Sequence, residues 1–213
     1  MTVFHDQIQK VKDDGPIDFN HIPMNDHKII LRLVDDSNDT INLLTIWRNK
    51  FWDAFPEKFN ATNERTRKWL NEQVLKKPDR ILFLILLNKK KIGHIGIYRY
   101  DETENSAEID NVVRAVRDQL PGLMEKVTRF LIDWMFKELN LSKIKLKVFS
   151  DNYKAINLYE RCGMVTVGNI PLKRINTKSG WKWQETKLDA TKEYGERYFI
   201  TMEITRDAYF AKK

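Results

Sequence analysis

Hydrophobic positions change period several times along the chain, and each change predicts an element. A β-like run at 29–34 gives way to Asp/Ser/Asn punctuation at 35–40, which suits a helix start. Leu43, Leu44, Trp47 and Phe51 then recur at helical spacing within 41–52. A second helix starts near Thr62 or Asn63, puts Trp69, Leu70 and Val74 on one face, and ends at Pro78-Asp79. Two β-rich runs, 81–87 and 92–100, are joined by a polar turn at 88–91, and a third strand is expected at 107–117. Pro121-Gly122 opens a long helix at 123–139 with Val127, Phe130, Leu131, Trp134, Met135 and Leu139 on its apolar face. Ile144, Leu146 and Val148 alternate with Lys143, Lys145 and Lys147, a strand with one wet face. A helix at 152–162 stops at Gly163, and strands at 165–168 and 198–204 flank a long irregular stretch. The order βααβββαβαββ predicts an α/β fold with a mixed sheet flanked by helices.

The first 27 residues break this pattern. They are polar, interrupted by Gly15-Pro16 and Pro23, and hold His5, His21 and His27 without a Cys or carboxylate at ligand spacing. They read as an N-terminal extension, an extended arm with solvated histidines and no metal. Residues 28–213 form the domain proper, with an inserted loop at 171–196. A chain of 213 residues with 42% apolar side chains supports one folded domain with a sizeable core. Cys162 is the single cysteine, so no internal disulfide or Cys-based zinc cage forms and a reducing, cytoplasmic setting fits. The longest apolar run, 81–87, is too short to span a bilayer, so no membrane partner is expected. The net charge of +7 favours an anionic partner.

Two segments carry candidate chemistry. The run from Gln119 to Met124 leads from a strand into the long helix, where free backbone N–H groups and the macrodipole suit a phosphate. Gly122 permits close approach, and Arg114, Arg117 and Lys126 add charge; an ordinary tight Pro-Gly connection fits equally. Further on, Asn152 opens a helix and Tyr159 follows two turns later, giving an amide and a phenol near strand ends. The plainer alternative is a helix cap and a half-buried tyrosine.

Together, Gln119-x-x-Gly122 and Asp151-Asn152-x-x-Ala155-x-x-Leu158-Tyr159-x-x-x-Gly163-Met164 resemble the GCN5-related N-acetyltransferase (GNAT) superfamily. Met124 departs from the small residue usual there. Ile46-Trp47-Arg48-Asn49, Thr66-x-x-Trp69-Leu70 and Gly93-His94-Ile95-Gly96 are similar to the branch acting on nucleotide-linked amino-deoxysugars. The Trp-Arg-Asn part also occurs in enzymes that modify protein N-termini. The resemblance implies a sheet splayed at an acetyl-CoA site and direct attack of an amine on the thioester, with no metal. It implies that the cosubstrate lies along Val112, Val113, Arg114, Val116 and Arg117, on Gln119, Gly122, Leu123 and Met124, and against Asn152. Tyr159 then sits where the thiolate is protonated.

The amine needs a base. Strict alternation puts Glu108, Asp110, Val112 and Arg114 on one face of the third strand, and Ile109, Asn111, Val113 and Ala115 on the other. Ile92, His94, Gly96 and Tyr98 share a face of the neighbouring strand, where glycines leave room for a ligand. Glu108 or Asp110 is the expected base, with His94, titrating near neutrality, close behind. A solvated hairpin glutamate and a satisfied sheet histidine are the plainer alternatives. Arg48 and Asn49, Asn111, and the loop tryptophans Trp181 and Trp183 are expected on the substrate side. Arg48 equally suits a helix C-terminus, and the loop a β-hairpin extension or dimer contact. The leading expectation is an acetyltransferase for a nucleotide-sugar amine; the alternatives are a protein N-terminus or other small primary amine, and a basic nucleic-acid-binding module. Nucleic acid is disfavoured because the cations on the strand at 143–148 come with no RNA-binding aromatic motif or zinc finger. A homodimer is one assembly the sequence leaves open.

Overall fold

In the computed structural model, residues 2–14, 18–24, 27–116, 120–187 and 197–211 are described. Thr2 accepts from the His5 amide (3.4 Å) and starts α1 (Val3–Asp13). Phe4, Ile8 and Val11, at i, i+4 and i+7, are buried in the main core. β1 (Asp18–Met24) pairs antiparallel with β2 (His27–Leu33). The N-terminal segment is therefore a helix and a strand docked on the sheet, not an extended arm. His5 bonds Thr2 (2.9 Å) and meets Tyr100 edge-on, so it is not simply solvated. The side chain of His21 lies outside the described residues.

Ser37 caps α2 (Asn38–Lys50) and Thr62 caps α3 (Asn63–Leu70), which continues into a π-helical turn at 71–75. Between them lies a short strand, β3 (Glu57–Phe59). β4 (Ile81–Leu87) and β5 (Lys90–Asp101) form a hairpin whose turn residues Asn88 and Lys89 both have positive φ, 48° and 72°. β6 (Ser106–Arg114) follows, then α4 (Leu123–Lys137), β7 (Lys143–Phe149) and α5 (Tyr153–Arg161). In the stretch expected to be irregular, β8 (Val165–Thr177) and β9 (Gly180–Glu185) form a hairpin, the alternative reading of that loop, while 188–196 lie outside the described residues; β10 (Arg197–Thr205) and α6 (Arg206–Phe210) follow.

The strands form one sheet in the order β1-β2-β4-β5-β6-β7-β10-β8-β9-β3. β6 and β7 pair parallel, while the other pairings are antiparallel. β4 is buried on both faces: Ile81, Phe83, Ile85 and Leu87 join the core under α1 and α4, and Leu82, Leu84 and Leu86 join the core under α2 and α3.

Two bulges break the expected alternation. On β5, Lys91 pairs with Leu86 and Gly93 with Ile85, so Ile92 is the extra residue. Ile92 therefore joins Ile95 and Ile97 in the α4-side core, opposite to His94, whose ring approaches Trp47 of the α2-side core. On β6, Asp110 pairs with Gly96 but Val113 with His94, and Asn111 takes φ 52°. The phase then reverses. Ile109 and Val112 pack in the α4-side core, whereas Val113 and Ala115 pack in the α2-side core. Val112 thus does not share a face with Asp110, nor Val113 with Ile109, because a bulge adds one residue to a period of two.

Candidate active site

Parallel pairing of β6 with β7 stops at Glu108 opposite Lys145, although both strands run on. Past that point the strands splay, and β6 backbone groups facing the gap lose their ladder partners. A cleft of about 460 Å³ occupies the gap, and its walls include Glu108, Asp110, Val112, Val113, Asn152 and Tyr159.

The carboxylates differ in how firmly they are held. Asp110 accepts from Arg80 (2.7 Å), from the Asn111 amide (2.7 Å) and from the Asn111 side chain (2.6 Å). Glu108 is paired with Arg99 at 3.3 Å. Glu185, also in the wall, pairs with Lys147 at 2.7 Å. Arg80 in turn packs over the Tyr98 ring at 4.2 Å.

Tyr159 is 6% exposed at the cleft wall. Burial, followed by Cys162 and Asp110, pushes its phenol well above the ordinary tyrosine value, so it stays protonated. Burial likewise pushes the Cys162 thiol up to about 11. His94 departs from expectation. It is 4% exposed, and burial lowers it to about 4 against the opposing effects of the Asn111 carbonyl and Asp110. Its Nδ1 lies 2.6 Å from that carbonyl and carries the proton there, leaving a neutral imidazole instead of one titrating near neutrality. His94 also lines an adjoining cavity rather than the main cleft.

The glycines beside His94 make room for backbone, not for ligand. A Cβ on Gly93 would stand 2.1 Å from the Val113 oxygen, and one on Gly96 2.7 Å from the Ile81 oxygen. Gly122 is different: it caps α4 at φ 79° with open space where its Cβ would be. Asn152 accepts from the Ala155 amide (3.2 Å), so it caps α5 and lines the cleft at once. Leu123 and Met124 turn their side chains into the core, so only their backbone faces outward. Arg114 braces the loop into α4 through the carbonyls of Val116 (3.4 Å) and Leu120 (3.5 Å). The Val116 amide donates to the Ile92 carbonyl (3.0 Å), tying this end of the segment to β5. Arg117 and Gln119 lie outside the described residues.

On the substrate side the expected residues separate. The Asn49 side chain is closed onto Ala61, donating to its carbonyl (3.0 Å) and accepting from its amide (2.8 Å), so its polar atoms serve the α2–α3 connection instead of a ligand. Trp183 and Glu185 of β9 line the cleft, whereas Trp181, on the same strand face but further along, packs on Trp52 and Trp183 and is not in the cleft wall. Trp183 Nε1 is buried without an acceptor. Arg48 lies in the adjoining cavity, within 4.3 Å and 4.6 Å of the Phe55 and Phe59 ring centroids. Sequence reasoning missed Arg80, Lys147 and Glu185; alternation in Trp181-Lys182-Trp183-Gln184-Glu185 was the available signal for the last. Lys143, Lys145 and Lys147, the cations of the wet strand face, all pair with carboxylates. Among the described residues no group of three or more His, Cys, Asp or Glu is placed to hold a metal, and no helix is long and apolar enough to cross a membrane.

The family described as Acetyltransferase (GNAT) domain matches residues 28–165. The chain belongs to this acetyltransferase family. It is 26% identical over 140 residues to the spermidine N(1)-acetyltransferase of Vibrio cholerae, covering 66% of this chain and 76% of that protein. The crystal structure of the Vibrio cholerae spermidine N-acetyltransferase in complex with CoA and spermine superposes with a TM-score of 0.67 at 20% identity, covering 85% of this chain and 98% of that one. An aminoglycoside acetyltransferase in complex with coenzyme A gives 0.63 at 21% identity, over 86% and 98%. As a GNAT enzyme the protein transfers an acetyl group from acetyl-CoA. The residues present fit that cosubstrate: unladdered backbone lines the splay, and Gly122 leaves the start of α4 open.

Proposed function

We propose that the protein N-acetylates a small primary amine, of the class represented by polyamines and aminoglycosides, and not a nucleotide-sugar amine. One observation carries this reading. The cations described in the cleft wall are each matched to a carboxylate, Arg80 to Asp110, Arg99 to Glu108 and Lys147 to Glu185. Within this cleft a sugar diphosphate would have to break such a pair to find a clamp, whereas an ammonium can share the carboxylates already there. The activities named for the related proteins support the same class.

The chain's own groups then have distinct duties. Val112 and Val113 on the splayed strand, Asn152, and the backbone from Gly122 to Met124 hold the cosubstrate. Acetyl-CoA supplies the electrophilic thioester carbonyl and the thiolate released when the C–S bond breaks. Glu108, held by one long ion pair, takes a proton from the ammonium, directly or through a water. Asp110 is already occupied by three donors and orients instead. The freed amine forms the new C–N bond as the C–S bond breaks, Tyr159, kept protonated by burial, gives its proton to the departing sulfur, and the second proton lost by the nitrogen restores the phenol.

Thiol release from acetyl-CoA, measured with spermidine, spermine, an aminoglycoside, a peptide and a 4-amino-deoxysugar nucleotide, tests the proposal. The highest kcat/KM is expected for a small amine without a nucleotide. A best substrate that is the sugar nucleotide refutes it.

A further inference from the structure

A second cavity, of about 240 Å³, shares Phe55, Pro56 and Asn111 as walls with the larger cleft. Phe59, Trp69, Leu44 and Ala61 supply its apolar walls. Arg48 stands in it in an unusual state. Nη2 donates to the Glu57 carbonyl, but Nη1 is buried and has no hydrogen-bond acceptor. A guanidinium nitrogen packed by two phenylalanine rings without an acceptor is a costly arrangement that a ligand oxygen would relieve.

Charge says which oxygen. The described ionisable side chains of this cavity are Arg48 and Arg65 against Glu57, with His94 neutral beside them. That leaves an excess of positive charge, whereas the larger cleft balances its cations and carboxylates. A second ammonium is repelled from the small cavity and an anionic oxygen is drawn in. The volume is too small for a nucleoside diphosphate and suits one short apolar or aromatic group.

We propose that this cavity is an acceptor subsite for a carboxylate, bound by Arg48, so that the preferred substrates are primary amines bearing a carboxylate at the far end of a short apolar body. The proposal rests on the amine-acetylating reading above and narrows it. All-nitrogen polyamines place an ammonium where Arg48 and Arg65 stand, so they are the poorer members of the class.

Three amines of equal carbon count test it: 5-aminopentanoate, pentylamine and cadaverine, repeated one methylene shorter and one longer. The expected order of kcat/KM is carboxylate above alkylamine above diamine, with the carboxylate ahead of the alkylamine by about tenfold or more at the best length. Arg48→Gln should bring that ratio close to one; if that variant does not fold, Arg65→Gln, at the same cavity, should lower the ratio several-fold. A wild-type protein that acetylates all three without preference, or prefers cadaverine, overturns the subsite while leaving the amine reading intact. If no amine is acetylated, the amine reading fails, and ligand-observed NMR with pentanoate decides the subsite alone. Binding lost in Arg48→Gln upholds it; no binding to the wild type overturns it.

Discussion

Gly93→Ala is expected to damage the protein out of proportion to a single methyl group. The added Cβ would lie 2.1 Å from the Val113 oxygen and 3.2 Å from the Arg114 Cα, both backbone atoms of the neighbouring strand. Relaxed carbon–oxygen contacts lie at about 3.3–3.6 Å, so β5 and β6 must part by roughly 1 Å. A ladder bond stretched that far passes the hydrogen-bond limit, and the pairs Gly93–Arg114 and His94–Val113 are the ones exposed to it. Forcing atoms into packed structure costs about 1–3 kcal/mol and each lost buried hydrogen bond about 1 kcal/mol. A total near 3 kcal/mol corresponds to a fall in Tm of about 6–12 °C for a chain of this size. Circular-dichroism melting with and without CoA measures it. Gly122→Ala is the matched control, since its Cβ meets open space and only the φ of 79° is strained, a cost of about 1–2 kcal/mol. Because Gly93 seats the strand carrying Asp110, Asn111 and Val113, kcat should fall too at temperatures where the variant is folded. A Gly93→Ala protein melting within about 2 °C of the parent, with unchanged kcat, refutes the close-approach argument.

Three further outcomes are expected. Tyr159→Phe should lower kcat by about 10²-fold or more while CoA affinity, measured by calorimetry, changes little; an unchanged rate removes Tyr159 as the proton donor. His94 is held near 4 in the folded chain against an unfolded value of 6.5, so the unfolded state binds the extra proton between those values, and stability is lost as pH falls through that window. The loss is about 3 kcal/mol at most, and urea unfolding at pH 7 and pH 4.5 should show a smaller pH dependence for His94→Gln than for the parent. Trp183→Phe keeps the aromatic wall but deletes the orphan Nε1 donor, so KM for the amine should rise several-fold with a smaller change in kcat.

Much of the fold was legible because its elements obey simple periods. The run at 81–87 is a central strand because it is apolar without interruption, and Asn152 and Gly163 bound a helix because an amide caps one end and a positive φ of 94° ends the other. What could not be read were departures from period. Phe4, Ile8 and Val11 carry a helical signal, but three apolar positions among Asp, Gln and Lys look like a solvated arm until a sheet is present to bury them. The bulges at Ile92 and Asn111 have no composition signature, so the face assignments that span them slipped, while His94 with Gly96 and Val113 with Ala115 still share a face. The same limit applies to the site. Tyr159 and Asn152 follow from spacing along one helix, whereas the pairing of Arg80 with Asp110 joins residues thirty apart through the sheet register.

The bulge at Asn111 explains why the chemistry gathers at one place. In a strand of strict alternation, a carboxylate facing one side leaves the next two positions committed by parity. Here the chain inserts one residue, and Asn tolerates the positive φ that this requires better than most side chains. The insertion turns the Asn111 amide and side chain onto Asp110 and its carbonyl onto His94 Nδ1. One residue thereby fixes the carboxylate in the larger cleft and the tautomer of the imidazole in the smaller cavity, and it lines both. It also coincides with the stretch where β6 has left β7, so the backbone that a cosubstrate would meet is the backbone that bends. Changes at Asn111 should therefore alter acceptor and cosubstrate binding together, while changes at Arg48 or Trp183 act on the acceptor alone.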